Sequence, residues 1–223
     1  MKLIDLSQPI WNHCPNCPTH PLVRVEVIAD HSAQNDLTWH MERLEMASHT
    51  GSHLDAPLHK MPGGKSISQM PLETFVGQAF IADLRFLAAD QEITPAHLQE
   101  ALPQEPQVLG DKIILLATGW GQKRARTDEW FYHAPFLGRE AALWLVERKI
   151  RGVGIDHYSV GGALEPRNGH THQVLLGAEV WIIEELKFSD EALAVPQPAR
   201  FWALPINLKD HSGAWCRPVL EVE

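Results

Sequence analysis

Cysteine is scarce in this chain, which holds only three in 223 residues: Cys14, Cys17 and Cys216. An odd and small number of cysteines excludes a disulfide framework and is consistent with a reducing compartment. The spacing Cys14-Pro15-Asn16-Cys17 matches C-x-x-C, but neither a second pair nor a βαβ pattern accompanies it. We therefore interpret it as part of a proline-rich surface or pocket loop, with a functional dithiol as the alternative.

Excess positive charge and long apolar runs are missing too. Lys and Arg total 19 against 28 Asp and Glu, a formal net charge of −9, and the longest basic run is Lys123-Arg124-Ala125-Arg126. Nucleic-acid binding favours the opposite balance, so we expect no nucleic-acid partner. The N-terminus lacks the apolar run of a signal peptide, and the most apolar stretch, 113–117, is far too short to span a membrane. We expect a cytoplasmic protein without a membrane partner.

The remaining composition predicts a mixed α/β fold. With 223 residues, 44% of them hydrophobic, the chain can bury a substantial core, and we expect one domain over residues 1–223. Apolar runs and alternation predict nine strands: Leu3–Leu6, Leu22–Ile28, Trp39–Ala47, Gln78–Leu84, Lys112–Ala117, Gly152–Ile155, Glu179–Glu184, Phe201–Ile206 and Ala214–Glu221. Helices are predicted at Gly138–Arg148, around Thr171–Leu176 and after the N-cap Thr94, which Pro95 follows. Helices that alternate with strands indicate the α/β class.

Three histidines and a carboxylate stand close together in the stretch His49-Thr50-Gly51-Ser52-His53-Leu54-Asp55-Ala56-Pro57-Leu58-His59. All four donors have odd numbers, and residues two apart in an extended chain point to the same side. Gly51 would share that side and leave room for an ion. A helix would also bring two of the histidines to one face, but Gly51 and Pro57 disfavour it.

Imidazole and carboxylate donors suit zinc, and manganese or iron can use the same set. A lone histidine is more often a solvated or hydrogen-bonded side chain than a ligand, and we interpret His31, His40 and His97 in that way. Four donors around one glycine instead predict a metal site.

Two other segments do not match the functional motifs that they resemble, and the role of one distant pair of residues is left with two interpretations. Gly63-Gly64-Lys65-Ser66 is not a phosphate-binding loop, because His59 stands where its first glycine belongs. Ser159 lacks the leading glycine of a nucleophile elbow, so it is interpreted as a pocket or turn residue. Glu184 ends an apolar strand twelve residues after His172. It is either a surface residue beyond the strand or a ligand.

The histidine-rich stretch resembles the H-x-G-T-H-x-D-x-P-x-H motif of the cyclase family of metal-dependent hydrolases, which includes bacterial kynurenine formamidase and isatin hydrolase. Ser52 in place of threonine is the single departure from that motif. The resemblance extends over nearly the whole chain, through segments 5–10, 62–67, 117–120 and 152–156 together with Ser159.

This resemblance implies a set of site residues. His49, His53 and Asp55 would hold one metal ion, and Asp55 and Glu184 would bridge to a second ion that His172 also holds. His170 is an alternative to His172, and some branches of the family look mononuclear, so the cofactor is one or two divalent ions, zinc or manganese. The residue that matches His59 acts as the general acid/base. The implied fold is a swivelling β/β/α-like arrangement assembled as a homodimer or homotetramer.

The expected function is hydrolysis of a C–N bond in a small formamide or cyclic amide by metal-activated water, with His59 carrying the proton. The alternatives are an ester or lactone hydrolase with the same site, and a non-catalytic metal- or ligand-binding relative. Two departures bear on the substrate. Formamidases carry a P-x-W-P-G-D stretch where this chain has 14–20 without tryptophan. Lys60 replaces a frequent phenylalanine and would offer a positive contact to an anionic substrate.

Overall fold

The computed structural model describes residues 1–31, 39–103 and 106–222. Its strands are β1 (Lys2–Asp5), β2 (Arg24–Ala29), β3 (Met41–Glu45), β4 (His53–Asp55), β5 (Val76–Asp83), β6 (Glu92–Ile93), β7 (Ile113–Ala117), β8 (Phe136–Leu137), β9 (Gly152–Ile155), β10 (Trp181–Glu184), β11 (Ala199–Trp202), β12 (Gly213–Trp215) and β13 (Val219–Val222). Its α-helices are α1 (Pro95–Ala101), α2 (Pro106–Leu109), α3 (Asp128–Tyr132), α4 (Arg139–Glu147), α5 (Arg167–Gly177) and α6 (Asp190–Leu193). Short 3-10 helices cover Pro57–His59, Ile67–Gln69, Leu72–Phe75 and Trp120–Lys123.

Nine strands form one mixed sheet in the order β1-β13-β11-β5-β7-β9-β10-β4-β12. The central strands β5, β7, β9 and β10 are parallel, and the outer strands on both sides pair antiparallel. Strands β12 and β13 would lie about 34 Å apart in a flat sheet of this order. Only residues 216–218 connect them, a reach of about 14 Å at most. The sheet therefore curls until its two ends approach one another.

Each face of the central strands is apolar, as expected for parallel strands buried on both sides. In β7, Ile113 and Leu115 face the cluster inside the curled sheet, together with residues of the antiparallel strands such as Phe201. Ile114 and Leu116 face the outer cluster, which α1, α4 and α5 cover. This two-layered burial explains why 113–117 reads as a continuous apolar run.

Most predicted elements are confirmed, with the boundaries given above. Gly152–Ile155 matches β9 without change, and Gly138 and Arg148 are the caps of α4. Two predictions are corrected. The predicted strand Ala214–Glu221 is wrong as one element: the chain forms β12 and β13, because Pro218 lacks an N–H and residues 216–218 cross between the two ends of the sheet. The helix expected around Thr171–Leu176 is longer, since α5 has eleven residues.

Strands β2 and β3 form a separate antiparallel ribbon. Its apolar side chains are largely exposed, including Val27 on β2 and Met41 and Leu44 on β3. Among the described residues, no helix is long and apolar enough to cross a membrane.

Candidate metal centre and active site

Two neighbouring strands and one helix bring the predicted donors together. His53 and Asp55 lie on β4, and antiparallel pairing places Glu184 of β10 directly opposite His53. His172 lies in α5, and all four side chains are buried. Because the β4–β10 pairing joins residues more than 120 positions apart, this part of the site depends on the sheet register.

The distances show one compact cluster. The Nε2 atom of His53 is 3.4 Å from Asp55 Oδ1 and 3.5 Å from Glu184 Oε2. The Nε2 atom of His172 is 3.3 Å from Glu184 Oε1 and 3.6 Å from Asp55 Oδ2. His49 Nδ1 is 2.7 Å from Asp55 Oδ1. Asp55 thus has an imidazole on each side.

The His49–His59 stretch is extended only in its middle, which corrects the prediction that one extended chain aligns all four donors. Gly51 adopts a φ of +66°, and a side chain there would collide with Ile10. The chain therefore turns between His49 and His53. After β4, the 3-10 helix Pro57–His59 turns His59 back so that its ring lies 4.0 Å from that of His49. The four donors meet because the chain folds around them.

The donors form two overlapping triads. One comprises His49, Asp55 and His59, and the other His53, Asp55 and Glu184; within each, the potential ligand atoms lie within 4.8 Å of one another. Asp55 belongs to both triads. Its Oδ2 atom is buried without a hydrogen-bond partner among the described residues, and a buried carboxylate oxygen normally has one. A cation bound between these groups would coordinate this oxygen and so compensate for the missing hydrogen bond. The residues therefore fit a divalent metal.

The pKa values of two histidines in the cluster also indicate a site that attracts positive charge. Burial works against the charged form of His172, but the nearby carboxylates of Asp55 and Glu184 outweigh it and raise its pKa to about 10. Burial also works against the charged form of His53, but the Asp55 carboxylate outweighs this effect and raises the pKa of His53 to about 9. His53 and His172 are therefore protonated near pH 7 in the metal-free protein, and their positive charges lie beside the carboxylates. Ligand imidazoles bind metals in their neutral form, so a bound metal would displace these protons.

His59 differs from these two histidines. Its side chain is exposed to the cavity, but partial loss of solvation among the surrounding residues lowers its pKa, and the charges of His49 and His172 lower it further, against the opposing effect of Asp55 and Glu184. A lowered pKa leaves the imidazole neutral near pH 7, so His59 can accept a proton.

Most members of the cluster line a cavity of about 480 Å³. Both the donor residues and a polar wall line it. The wall residues include Cys17, His20, Tyr158, Ser159, Asn168 and Glu165. A larger depression of about 750 Å³ lies beside Arg151 and Arg200, away from all predicted site residues. The smaller cavity is therefore the candidate active site.

Some residues of the cavity were not predicted as site residues. His20 lies on its wall, and burial together with His53 and His49 lowers the pKa of His20. No local spacing in the sequence links His20 to the cluster. Ser159 is a pocket residue, as predicted, and Cys17 belongs to the predicted pocket loop with both its cysteines free.

His170 and His172 lie in different environments although both belong to α5. His172 faces the cluster, whereas His170 is exposed, because residues two apart on a helix point in different directions. Lys60 is also exposed, next to the end of the 3-10 helix that carries His59.

Comparisons with known proteins identify the family of this chain. The model of the Cyclase family, described as "Putative cyclase", matches residues 4–161. Kynurenine formamidase from Bacillus mycoides is 28% identical over 219 residues, which is 97% of this chain and 96% of that protein. Isatin hydrolase A from Labrenzia aggregata, bound to benzyl benzoate, superposes with a TM-score of 0.84 at 25% identity over 98% of this chain and 93% of its own. A predicted metal-dependent hydrolase from Bacillus stearothermophilus gives 0.75 at 29% identity over 98% and 97%. The family match covers well over half of the chain, and the chain therefore belongs to the Cyclase family.

Proposed function

We propose that this protein is a metal-dependent amidohydrolase that cleaves a C–N bond, other than a peptide bond, in a small formamide or cyclic amide. The observation that carries the proposal is the pair of donor triads that share Asp55 and contribute residues to a cavity wall, one of which contains His59 with its lowered pKa. The kynurenine formamidase and isatin hydrolase relatives support this class of reaction.

The proposed ligands are those that the resemblance to the cyclase family implies, and contacts around them support the proposal. His49, His53 and Asp55 would hold one ion, and Asp55, Glu184 and His172 a second. Val160 donates its backbone N–H to Glu184 Oε1 over 2.7 Å, and Asn168 accepts a hydrogen bond from His172 Nδ1 over 3.0 Å through its backbone oxygen. Such contacts orient a ligand through its other atoms. Zinc and manganese both suit this donor set.

A divalent ion held by these residues would supply Lewis acidity and would lower the pKa of a bound water molecule to about 7. His59 does not pair directly with a carboxylate as His172 does, and it lines the cavity. We propose that it accepts the proton of the attacking water at an imidazole nitrogen. It then returns that proton to the departing nitrogen of the substrate, which is general acid/base catalysis.

The cavity wall bears on the substrate. Cys17 and His20 occupy the stretch where formamidases carry a tryptophan, so this wall offers a thiol and an imidazole instead of an indole face. We therefore propose a small formamide or cyclic amide other than formylkynurenine as the substrate.

An ester or lactone hydrolase is the second candidate, because the same donors and the same His59 would serve an oxygen leaving group. We further propose that residues 1–223 are one domain and that the protein is cytoplasmic. We also propose that it assembles as a homodimer or homotetramer. The exposed apolar side chains of the β2–β3 ribbon support an assembly, because burial in a subunit interface would remove them from water.

The test combines metal analysis with activity. Purified protein is stripped with a chelator, reloaded with zinc or manganese, and assayed on an aryl formamide, a lactam and the matching lactone. We expect at least one metal equivalent per chain and metal-restored cleavage of an amide. Absence of both bound metal and metal-restored activity would contradict the proposal, and cleavage of the lactone alone would favour the second candidate.

A further inference from the structure

Ser212 holds the outer nitrogen of a proposed metal ligand. Its hydroxyl oxygen is 2.9 Å from His49 Nε2, while His49 Nδ1 faces Asp55 at 2.7 Å. The two ring nitrogens of His49 therefore have different partners: Nδ1 faces the cluster and Nε2 contacts Ser212.

The position of Ser212 is set by the same pairing that positions Asp55. Its carbonyl accepts a hydrogen bond from Ala56 N over 2.8 Å, and the next residue, Gly213, pairs with Asp55 between β12 and β4. Ser212 is thus attached to the ligand strand on the side opposite β10. A shift of the Ser212 backbone relative to Asp55 would require the β4–β12 pairing to break.

Gly213 leaves the space that the His49 ring occupies. A Cβ atom at this position would lie 2.5 Å from His49 Cε1 and 3.0 Å from its Nδ1. Real contacts of this kind are much longer, so only glycine allows the ring to lie against this strand. The other side of the ring packs on His59, with 4.0 Å between the ring centroids.

We propose that Ser212 is a positioning residue for the metal centre, acting through His49. This inference rests on the proposed function, because it takes His49 as a ligand through Nδ1. When Nδ1 carries a proton toward Asp55, the Ser212 hydroxyl donates to Nε2. With a metal on Nδ1, Nε2 would carry the proton and would donate a hydrogen bond to the hydroxyl oxygen. A hydroxyl can do both, whereas a carbonyl can only accept.

The experiment compares metal affinity in four variants and the parent. Ser212→Ala removes the hydroxyl, and the pair Ser212→Thr and Ser212→Val have nearly the same size but differ in the hydroxyl. Ser68→Ala is the control: Ser68, in the 3-10 helix Ile67–Gln69, accepts a hydrogen bond at Oγ from Asp210 N over 3.0 Å, so it contacts the loop that carries Ser212 and not the His49 ring. Zinc and cobalt affinities are measured by competition with a chelator, and the cobalt absorption spectrum reports ligand geometry.

We expect Ser212→Ala and Ser212→Val to bind metal about 10- to 100-fold more weakly, the loss typical of removing an outer partner of a ligand histidine. Ser212→Thr and Ser68→Ala should bind like the parent. Parent-like affinity and an unchanged cobalt spectrum in both Ser212→Ala and Ser212→Val would overturn the assignment of Ser212 while leaving the proposed function in place. Failure of the parent itself to bind zinc or cobalt would overturn both.

A second measurement does not need metal. In the metal-free protein, nitrogen-detected NMR of the histidine rings reports which nitrogen of His49 carries a proton and whether Nε2 is hydrogen-bonded. We expect the His49 Nε2 resonance to shift in Ser212→Ala and to remain in place in Ser68→Ala. An unchanged His49 resonance in Ser212→Ala would also contradict the assignment, and this readout separates it from any general loss of stability.

Discussion

Arg124 and Glu185 form a buried ion pair. The Nε atom of Arg124 is 2.7 Å from Glu185 Oε2, and the two side chains are 4% and 1% exposed. The same guanidinium donates hydrogen bonds to the carbonyls of Pro9 and Pro15, over 2.8 and 2.7 Å. Glu185 directly follows the proposed ligand Glu184. The pair therefore ties the segment that leads into the cavity wall to the strand that carries a metal donor.

Removal of Arg124 should destabilise the protein strongly. In Arg124→Met the Glu185 carboxylate stays buried without its charge partner, and breaking a buried pair from one side costs about 3–5 kcal/mol. The free energy of unfolding from urea denaturation measures this cost. Arg217→Met is the control, because Arg217 pairs with Asp5 at the surface with a side chain that is 79% exposed, and such pairs contribute about 1 kcal/mol or less. Equal losses of unfolding free energy in the two variants would contradict a strong contribution of the Arg124–Glu185 pair to stability.

His172→Gln should reduce metal binding, whereas His170→Gln should not. His172 lies 3.3 Å from Glu184 and is buried, while its neighbour two residues earlier on the same helix is exposed. The number of metal equivalents per chain after dialysis against zinc, measured by elemental analysis, decides between them. If both ions bind, we expect about one equivalent fewer in His172→Gln. Unchanged stoichiometry and affinity would remove His172 from the proposed ligand set.

His59→Ala should lower turnover by about 10²–10⁴-fold while metal content stays close to that of the parent, because a general acid/base contributes on this scale. The measurement pairs a steady-state assay on the best amide substrate with elemental analysis of the same sample. His59 also lies within ligand distance of His49 and Asp55. Loss of metal in His59→Ala would therefore make it a ligand instead of the proton carrier.

His157 should contribute to unfolding at low pH. Burial lowers its pKa to about 4, although its hydrogen bond to the Trp130 carbonyl acts in the opposite direction. An unfolded histidine has a pKa near 6.5, so protons bind the unfolded chain first as the pH falls. This contribution is complete above about pH 6.5 and is lost as the pH falls through about 4; its full size is about 3 kcal/mol.

The test compares the parent with His157→Gln by urea denaturation at pH 7 and pH 4. His157→Gln should be less stable than the parent at pH 7, because a buried ring is lost. The difference between their free energies of unfolding should be smaller by about 2 kcal/mol or more at pH 4. His133→Gln, which removes an exposed histidine paired with Asp90, should show no such narrowing. A gap of constant size in His157→Gln would contradict a buried neutral His157.

Local patterns predicted the elements that depend on local properties. The apolar run at 113–117 and the short run at 152–155 became buried strands, because continuous apolar stretches of this length suit a sheet covered on both faces. The helix α4 formed where the apolar spacing and Gly138 placed it. The strand predicted at 214–221 was wrong, since its two halves are separated by a crossing that only a curled sheet makes possible.

Residues close in sequence were also sufficient to indicate which chemistry this chain carries: His49, His53, Asp55 and His59 are donors of the right type at close spacing. How they meet was decided by the tertiary structure. Gly51 and the 3-10 helix bend the stretch, and the β4–β10 register brings Glu184 opposite His53. The β4–β12 register places Ser212 behind His49. A side-chain pattern records whether a residue is buried and on which face, but the choice of neighbouring strand depends on pairing between distant segments, so it emerges only when the whole sheet forms.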